Sequence, residues 1–251
     1  MVHQIQKNYY DYQNINALEL YDVLFEENEN VIIHSEGGCG KTHLIRQMIP
    51  KLEYNKIGFL ILAPTGIAAQ HINGDTIHSI FGIPVDKPFD LEASVKHVIS
   101  KNTLGDLKLI IMDEISMVSD LLFTQVHQIL CRVYQNDKAM GNIRVLLSGD
   151  FLQLAPITHK YCFETPIFKK LNLKWVEMTT KYRFLEDNIY ATMVSNIRLG
   201  KLTNCYVNKL LECKEKELPA DIVPTQLIPK LKDIDVINQE EFSKLTSPIK
   251  E

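Results

Sequence analysis

The chain has 251 residues, 45% of them hydrophobic and 23% charged, proportions that exclude a fibrous or disordered protein. That length suits one sizeable α/β core with additions. With 27 basic against 31 acidic side chains, for a net charge of −4, there is no global basic field, so any contact with nucleic acid must be local.

The first residues, MVHQIQKNYYDYQN, are polar and aromatic where a leader would be apolar, and no run reaches the roughly 18 apolar residues of a membrane span. An intracellular protein is expected. Short apolar or β-branched runs then predict strands at Val31-Ile32-Ile33, Gly58 to Ala63, Leu107 to Met112, Ile143 to Ser148 and Trp175 to Met178. Amphipathic stretches predict helices at about 41–50, 91–101, 119–136 and 187–199. Alternating strands and helices of this kind form a parallel sheet flanked by helices, the α/β class. Gly82-Ile83-Pro84-Val85-Asp86-Lys87-Pro88 breaks the alternation, and residues 84–104 read as a small inserted subdomain. Leu218-Pro219 and Pro224 break it again near the C-terminus.

The five cysteines, at 39, 131, 162, 205 and 213, include no C-x-x-C pair and are expected to be free thiols. Arginine occurs only at 46, 132, 144, 183 and 198, which leaves 22 lysines (27 minus 5).

The strongest chemical signal is Ser35-Glu36-Gly37-Gly38-Cys39-Gly40-Lys41-Thr42, between the first predicted strand and a helical run starting at His43. Strand, glycine loop, Lys-Thr and helix is the arrangement that cradles phosphates. Glycines allow successive backbone amides to point into one concavity, Lys41 would reach the β and γ phosphates, and Thr42 would ligate Mg²⁺. Ser35 stands where the usual pattern has glycine. Leu109-Ile110-Ile111-Met112-Asp113-Glu114 ends a buried strand in two acids, 72 residues beyond Lys41 (113 minus 41). Asp113 is expected to hold Mg²⁺ and Glu114 to activate water. Val145 to Ser148, then Gly149-Asp150-Phe151-Leu152-Gln153, ends a third strand on an amide, that of Gln153, that could contact a γ-phosphate or the attacking water.

These residues resemble the Pif-type DNA helicases of superfamily one, class B, which are close to the RecD-like helicases. The resemblance covers nearly the whole chain. Besides the phosphate loop it rests on Ala63-Pro64-Thr65-Gly66-Ile67-Ala68-Ala69 with Thr76-Ile77-His78-Ser79, on Asp113-Glu114-Ile115-Ser116-Met117, and on Gly149-Asp150-Phe151-Leu152-Gln153-Leu154-Ala155-Pro156. It implies an ATP-driven motor moving 5′ to 3′ on single-stranded DNA in replication, repair or recombination. By the same resemblance Gln13 would read adenine, with the loop from Gly37, Gly38, Cys39 and Gly40 to Lys41, Thr42 and His43 around the phosphates. Thr65, Gly66, Thr76 and His78 would face DNA, where Phe81 would stack on a base.

Tyr182-Arg183-Phe184, where the family usually has Arg-Gln, supplies Arg183 as an arginine finger able to stabilise charge on the transferred phosphate. Arg198 is expected to pack against or cap its helix ahead of Gly200. The implied organisation is a first RecA-like domain at 1–83 and 105–203, the insertion at 84–104, and a linker with the start of a second RecA-like domain at 204–251. That last assignment rests on Pro224 to Pro229 and Asp235 to Asn238. A second chain or domain would complete the ATP site. Two other readings stand beside the motor: a nucleotide- or DNA-binding module that regulates a replication complex without unwinding, and an unrelated phosphate-loop ATPase or small-molecule kinase.

Overall fold

The structure is a computed structural model describing residues 10–157, 160–214, 219, 227–228 and 231–244. It divides into two compact units, Met1–Leu202 and Thr203–Glu251. In the first, seven parallel strands run in the order β1-β7-β2-β6-β5-β3-β4. They are β1 (Tyr12–Gln13), β2 (Val31–His34), β3 (Gly58–Ala63), β4 (Asp75–Thr76), β5 (Leu107–Met112), β6 (Arg144–Gly149) and β7 (Lys174–Glu177). Helices α1 (Ala17–Phe25), α2 (Lys41–Tyr54), α3 (Gly66–His71), α4 (Ile77–Phe81), α5 (Leu91–Lys101), α6 (Asp120–Tyr134), α7 (Pro166–Lys170) and α8 (Asn188–Arg198) connect or follow them.

Side chains alternate across a strand, and the two faces of the sheet carry two separate cores. Along β5, Ile110 and Met112 join the cluster formed with α4, α5 and α6, while Leu109 and Ile111 join the one formed with α1 and α2. Being buried on both faces gives β5 and β6 their unbroken apolar runs, so both strands fall within a residue of their predicted bounds. α2 runs past its predicted end at residue 50. Pro50 lacks the N–H that would bond to the Arg46 carbonyl, but Leu52 beyond it is fully buried, and that packing carries the helix to Tyr54.

Residues 84–104, expected as an inserted subdomain, hold α5. Its Val95 and Val98, with Leu104, belong to the same buried cluster as β5 and α6, so this helix is part of the main core. In the second unit, α9 (Asn204–Lys214) and α10 (Leu231–Ser243) are the described helices, and Asp235 to Asn238 lie in α10. Pro224, Thr225, Gln226 and Pro229, on which the expectation of a second RecA-like domain partly rests, lie outside the described residues. Among the described residues no helix is long and apolar enough to cross a membrane.

Candidate active site

The residues singled out by the sequence follow the carboxyl ends of neighbouring strands: Ser35 after β2, Asp113 after β5 and Asp150 after β6. An open parallel sheet places ligands at that edge. β2 lies beside β6 and β6 beside β5, which brings three loops together although they are far apart in sequence.

The phosphate loop turns through Gly38 and Gly40, at φ 82° and 87°, a region that side chains with a Cβ avoid. Gly38 has a second reason to be glycine. A Cβ there would lie 2.7 Å from the Cβ of Arg183, whose N–H donates to the Gly38 carbonyl at 3.3 Å. The Cys39 side chain is buried in the core, leaving its backbone to the loop. Lys41 Nζ donates to the carbonyls of Ser35 and Glu36 at 2.7 and 2.8 Å, and burial lowers its pKa. The ammonium thus sits inside the curve of the loop. His43, on the first turn of α2, is exposed.

Thr42 Oγ1 donates to Asp113 Oδ2 at 3.0 Å, which closes the gap between the phosphate loop and the end of β5. A hydroxyl and a carboxylate at this separation are hard oxygen donors of the kind Mg²⁺ takes. Glu114 follows in the left-handed region at φ 51°, and its N–H donates to the other Asp113 oxygen at 3.0 Å. Burial first, and then the Asp113 charge, raise the Glu114 carboxyl above the ordinary range, in the direction a general base needs. Gln153 lies across the loop, where a Cβ on Gly37 would come within 3.1 Å of its Nε2. Gln13 is exposed on β1 and donates to Glu177 on β7 at 2.8 Å.

The residues expected to face DNA follow β3 or lie at and just beyond the end of β4. Thr65 and Thr76 are the N-caps of α3 and α4, their hydroxyls accepting from the amides of Ala68 and Ser79 at 3.2 Å. Gly66 is open to solvent, and a Cβ on it would meet nothing within 4 Å. His78 is half-buried, which lowers its pKa. Phe81 departs from its expected role. It is fully buried in the core cluster with Ile77 and Ile80, because one-turn spacing on α4 puts all three on the inner face, and its ring is not available to a base.

Arg198 also departs from expectation. It does not cap its helix but forks onto Asp150, Nε to Oδ2 at 2.7 Å and Nη2 to Oδ1 at 2.6 Å. The motifs give Asp150 no role of its own, although it follows a buried strand just as Asp113 does. The same holds for His34, at the end of β2. Its Nε2 accepts from the Phe151 N–H at 3.3 Å, which leaves Nδ1 to donate to the Tyr10 hydroxyl at 3.1 Å. Burial pushes the imidazole down to about 4, so at neutral pH its 3.9 Å approach to Asp150 is not an ion pair.

The family model for PIF1-like helicases matches residues 10–204. The ATP-dependent DNA helicase RRM3 of Saccharomyces cerevisiae is 30% identical over 244 residues, covering 92% of this chain and 34% of that protein. The fold is that of Pif1 helicase from Candida albicans, with a TM-score of 0.80 at 24% identity over 93% of this chain and 55% of that one. Pif1 helicase from Bacteroides, solved with ADP-AlF3 and single-stranded DNA, superposes with a TM-score of 0.76 at 26% identity over 92% of this chain and 57% of that one. The chain therefore spans about a third of its curated relative and somewhat over half of each solved structure. A matched region that takes in the phosphate loop, the strand-end acids and Arg183 alike places this chain in the PIF1-like helicase family.

Proposed function

We propose that this chain is the ATP-hydrolysing first part of an intracellular DNA helicase motor that moves 5′ to 3′ on single-stranded DNA. A second RecA-like domain, on the same or another chain, completes its ATP site. The observation that carries the reading is the Thr42–Asp113 hydrogen bond, which joins the phosphate loop to the strand-end carboxylate while Arg183 sits directly on Gly38. The relatives named as ATP-dependent helicases, and the Bacteroides protein seen with ADP-AlF3 and single-stranded DNA, support the same reading.

In this reading the loop amides from Gly37 to His43 and the Lys41 ammonium bind the phosphates, and Gln13 reads the adenine edge. Thr42 and Asp113 would hold Mg²⁺, which neutralises phosphate charge when bound with ATP. Glu114 takes the proton from the attacking water and Gln153 orients that water. Arg183 stabilises the charge on the transferred group. Thr65, Gly66, Thr76 and His78 face the DNA strand, with hydroxyl and amide donors for its phosphates.

The test is Mg²⁺-ATP hydrolysis by the purified chain with and without single-stranded DNA, alongside two variants. Lys41→Ala should lose tight nucleotide binding. Glu114→Gln should still bind ATP and lose turnover by roughly 10²–10⁴-fold, the usual share of a general base. Unchanged nucleotide affinity in Lys41→Ala would overturn the site, and retained turnover in Glu114→Gln would overturn the base. Binding by the unmodified chain without turnover would mean half a motor awaiting its second domain, and failure of any candidate partner chain to restore DNA-stimulated turnover would favour a nucleotide-binding module.

A further inference from the structure

Asp150 is 1% exposed, immediately after β6 and three residues before Gln153. Besides the Arg198 fork, it accepts from the Leu152 N–H at 3.1 Å and from Gln153 Nε2 at 3.2 Å. With its amide nitrogen held there, the Gln153 carbonyl oxygen is left as the acceptor for a water. Burial alone would raise the Asp150 carboxyl, but the hydrogen bonds and charge of Arg198 hold it below the usual carboxylate range.

The same guanidinium reaches the phosphate loop, where its Nη1 lies 3.8 Å from Glu36 Oε1. Glu36 Oε2 accepts from the Ser195 hydroxyl at 2.6 Å and lies 3.2 Å from Lys181 Nζ, which also donates to Ser195 Oγ. The Glu36 carbonyl in turn receives Lys41. Two residues of α8 therefore hold both loops, one carrying the phosphate lysine and the other the glutamine sensor.

Stability is a poor reason for this arrangement, since replacing a buried ion pair with apolar groups is often neutral or stabilising. A bidentate guanidinium fixes the orientation of a carboxylate, which a point charge does not. We propose that Arg198 is a positioning residue for ATP hydrolysis, clamping Asp150 and Glu36 so that Gln153 and Lys41 are held in one fixed relation. The proposal rests on the ATP-site reading above. Arg198 also lies four residues before Leu202 (202 minus 198), where the compact unit ends, so the clamp ties both loops to the segment by which the chain leaves that unit.

The experiment compares Arg198→Ala, Arg198→Lys and a surface control, Arg132→Ala, in the full chain. The control removes an arginine paired with Glu92 on the exposed faces of α5 and α6. Displacing a positioned group by about 1 Å costs on the order of a hundredfold. Arg198→Ala should lose kcat on about that scale, with its ATP dissociation constant changed less than about threefold, the signature of an interaction used in the reaction rather than in binding. Arg198→Lys keeps a charge beside the buried Asp150, protecting the fold, and should recover part of the turnover. Hydrogen exchange, which needs no nucleotide, should show faster exchange at amides 149–154 and 35–41 in Arg198→Ala and no change in Arg132→Ala. Unchanged exchange in those two segments would overturn the proposal. So would undiminished kcat, or equal losses in affinity and turnover. If the unmodified chain does not bind ATP the site reading fails, and if it binds ATP without turnover kcat is read once the second domain is supplied; in both cases the exchange comparison decides the clamp.

Discussion

His34 illustrates how a single side chain under the phosphate loop makes the fold sensitive to pH. It is 8% exposed, ringed by Tyr10, Phe151 and Trp175, with Asp150, Arg198 and Lys41 as its charged neighbours. In the unfolded chain it takes up a proton at about pH 6.5, whereas in the folded chain burial, helped by Arg198 and Lys41 and opposed by Asp150, delays this to about 4. Between those values the unfolded state binds more protons, so stability rises with pH across the window and is lost as pH falls from about 6.5 to about 4. At 1.36 kcal/mol per pKa unit the loss is at most about 3 kcal/mol. Glu114, whose pKa is raised, acts in the opposite sense, since its folded form gains a proton more readily. The comparison that isolates His34 is therefore denaturant unfolding of the native chain and His34→Gln at several pH values between 6.5 and 4.5. Only the native chain should show this component, and equal losses in both would assign the titration to another group. Asp113 and Glu114 are legible in the sequence because they end an apolar run within reach of a recognisable loop. His34 gives no such signal, because its role comes from Phe151 and Tyr10, which lie 117 and 24 residues away.

At the scale of elements, α4 shows how helical spacing decides between core and surface. Its five residues are too few for intrinsic stability, so the helix persists through the Thr76 cap and the burial of Ile77, Ile80 and Phe81. Truncating Phe81 to alanine should cost about 3–5 kcal/mol in denaturant unfolding, the range for a buried aromatic. Phe81→Leu should fold and keep its affinity for single-stranded DNA. A Phe81→Leu chain of near-native stability that loses DNA affinity would return the ring to the DNA surface. The neighbouring strands explain what can be read in advance. β5 and β6 are long and doubly buried, so their composition marks them. β1 and β4, two residues each, have no room for a period and exist because β7 and β3 offer a free edge. α1 does leave a local mark, the capping box of Asn16 and Glu19, although it is absent from the helices expected on amphipathic spacing. The Arg198–Asp150 fork leaves none, since a pair 48 residues apart belongs to no local pattern.

Over the whole molecule, charge is distributed in a way that constrains how a DNA strand could be held. Residues 57–86, which contain Thr65, Gly66, Thr76 and His78, include no lysine or arginine, and burial lowers the pKa of His78, favouring its neutral form. Of the five arginines, Arg183 and Arg198 lie against the phosphate loop, Arg132 pairs with Glu92 and Arg144 donates to the Asn28 carbonyl, which leaves Arg46 on α2. A strand lying across the ends of β3 and β4 would then be held mainly by hydroxyl and backbone donors, which release few counterions. For single strands the slope of log K against log salt is about −0.7 per phosphate neutralised. Two or three lysines from elsewhere on the surface would give a slope of roughly −1.5 to −2, shallow for a nucleic-acid-binding protein. Fluorescence anisotropy with a labelled oligothymidine, from low to moderate salt, measures it directly. A slope steeper than about −4 would require six or more charge contacts, more than this face can supply, and would move the DNA path onto one of the lysine-bearing surfaces.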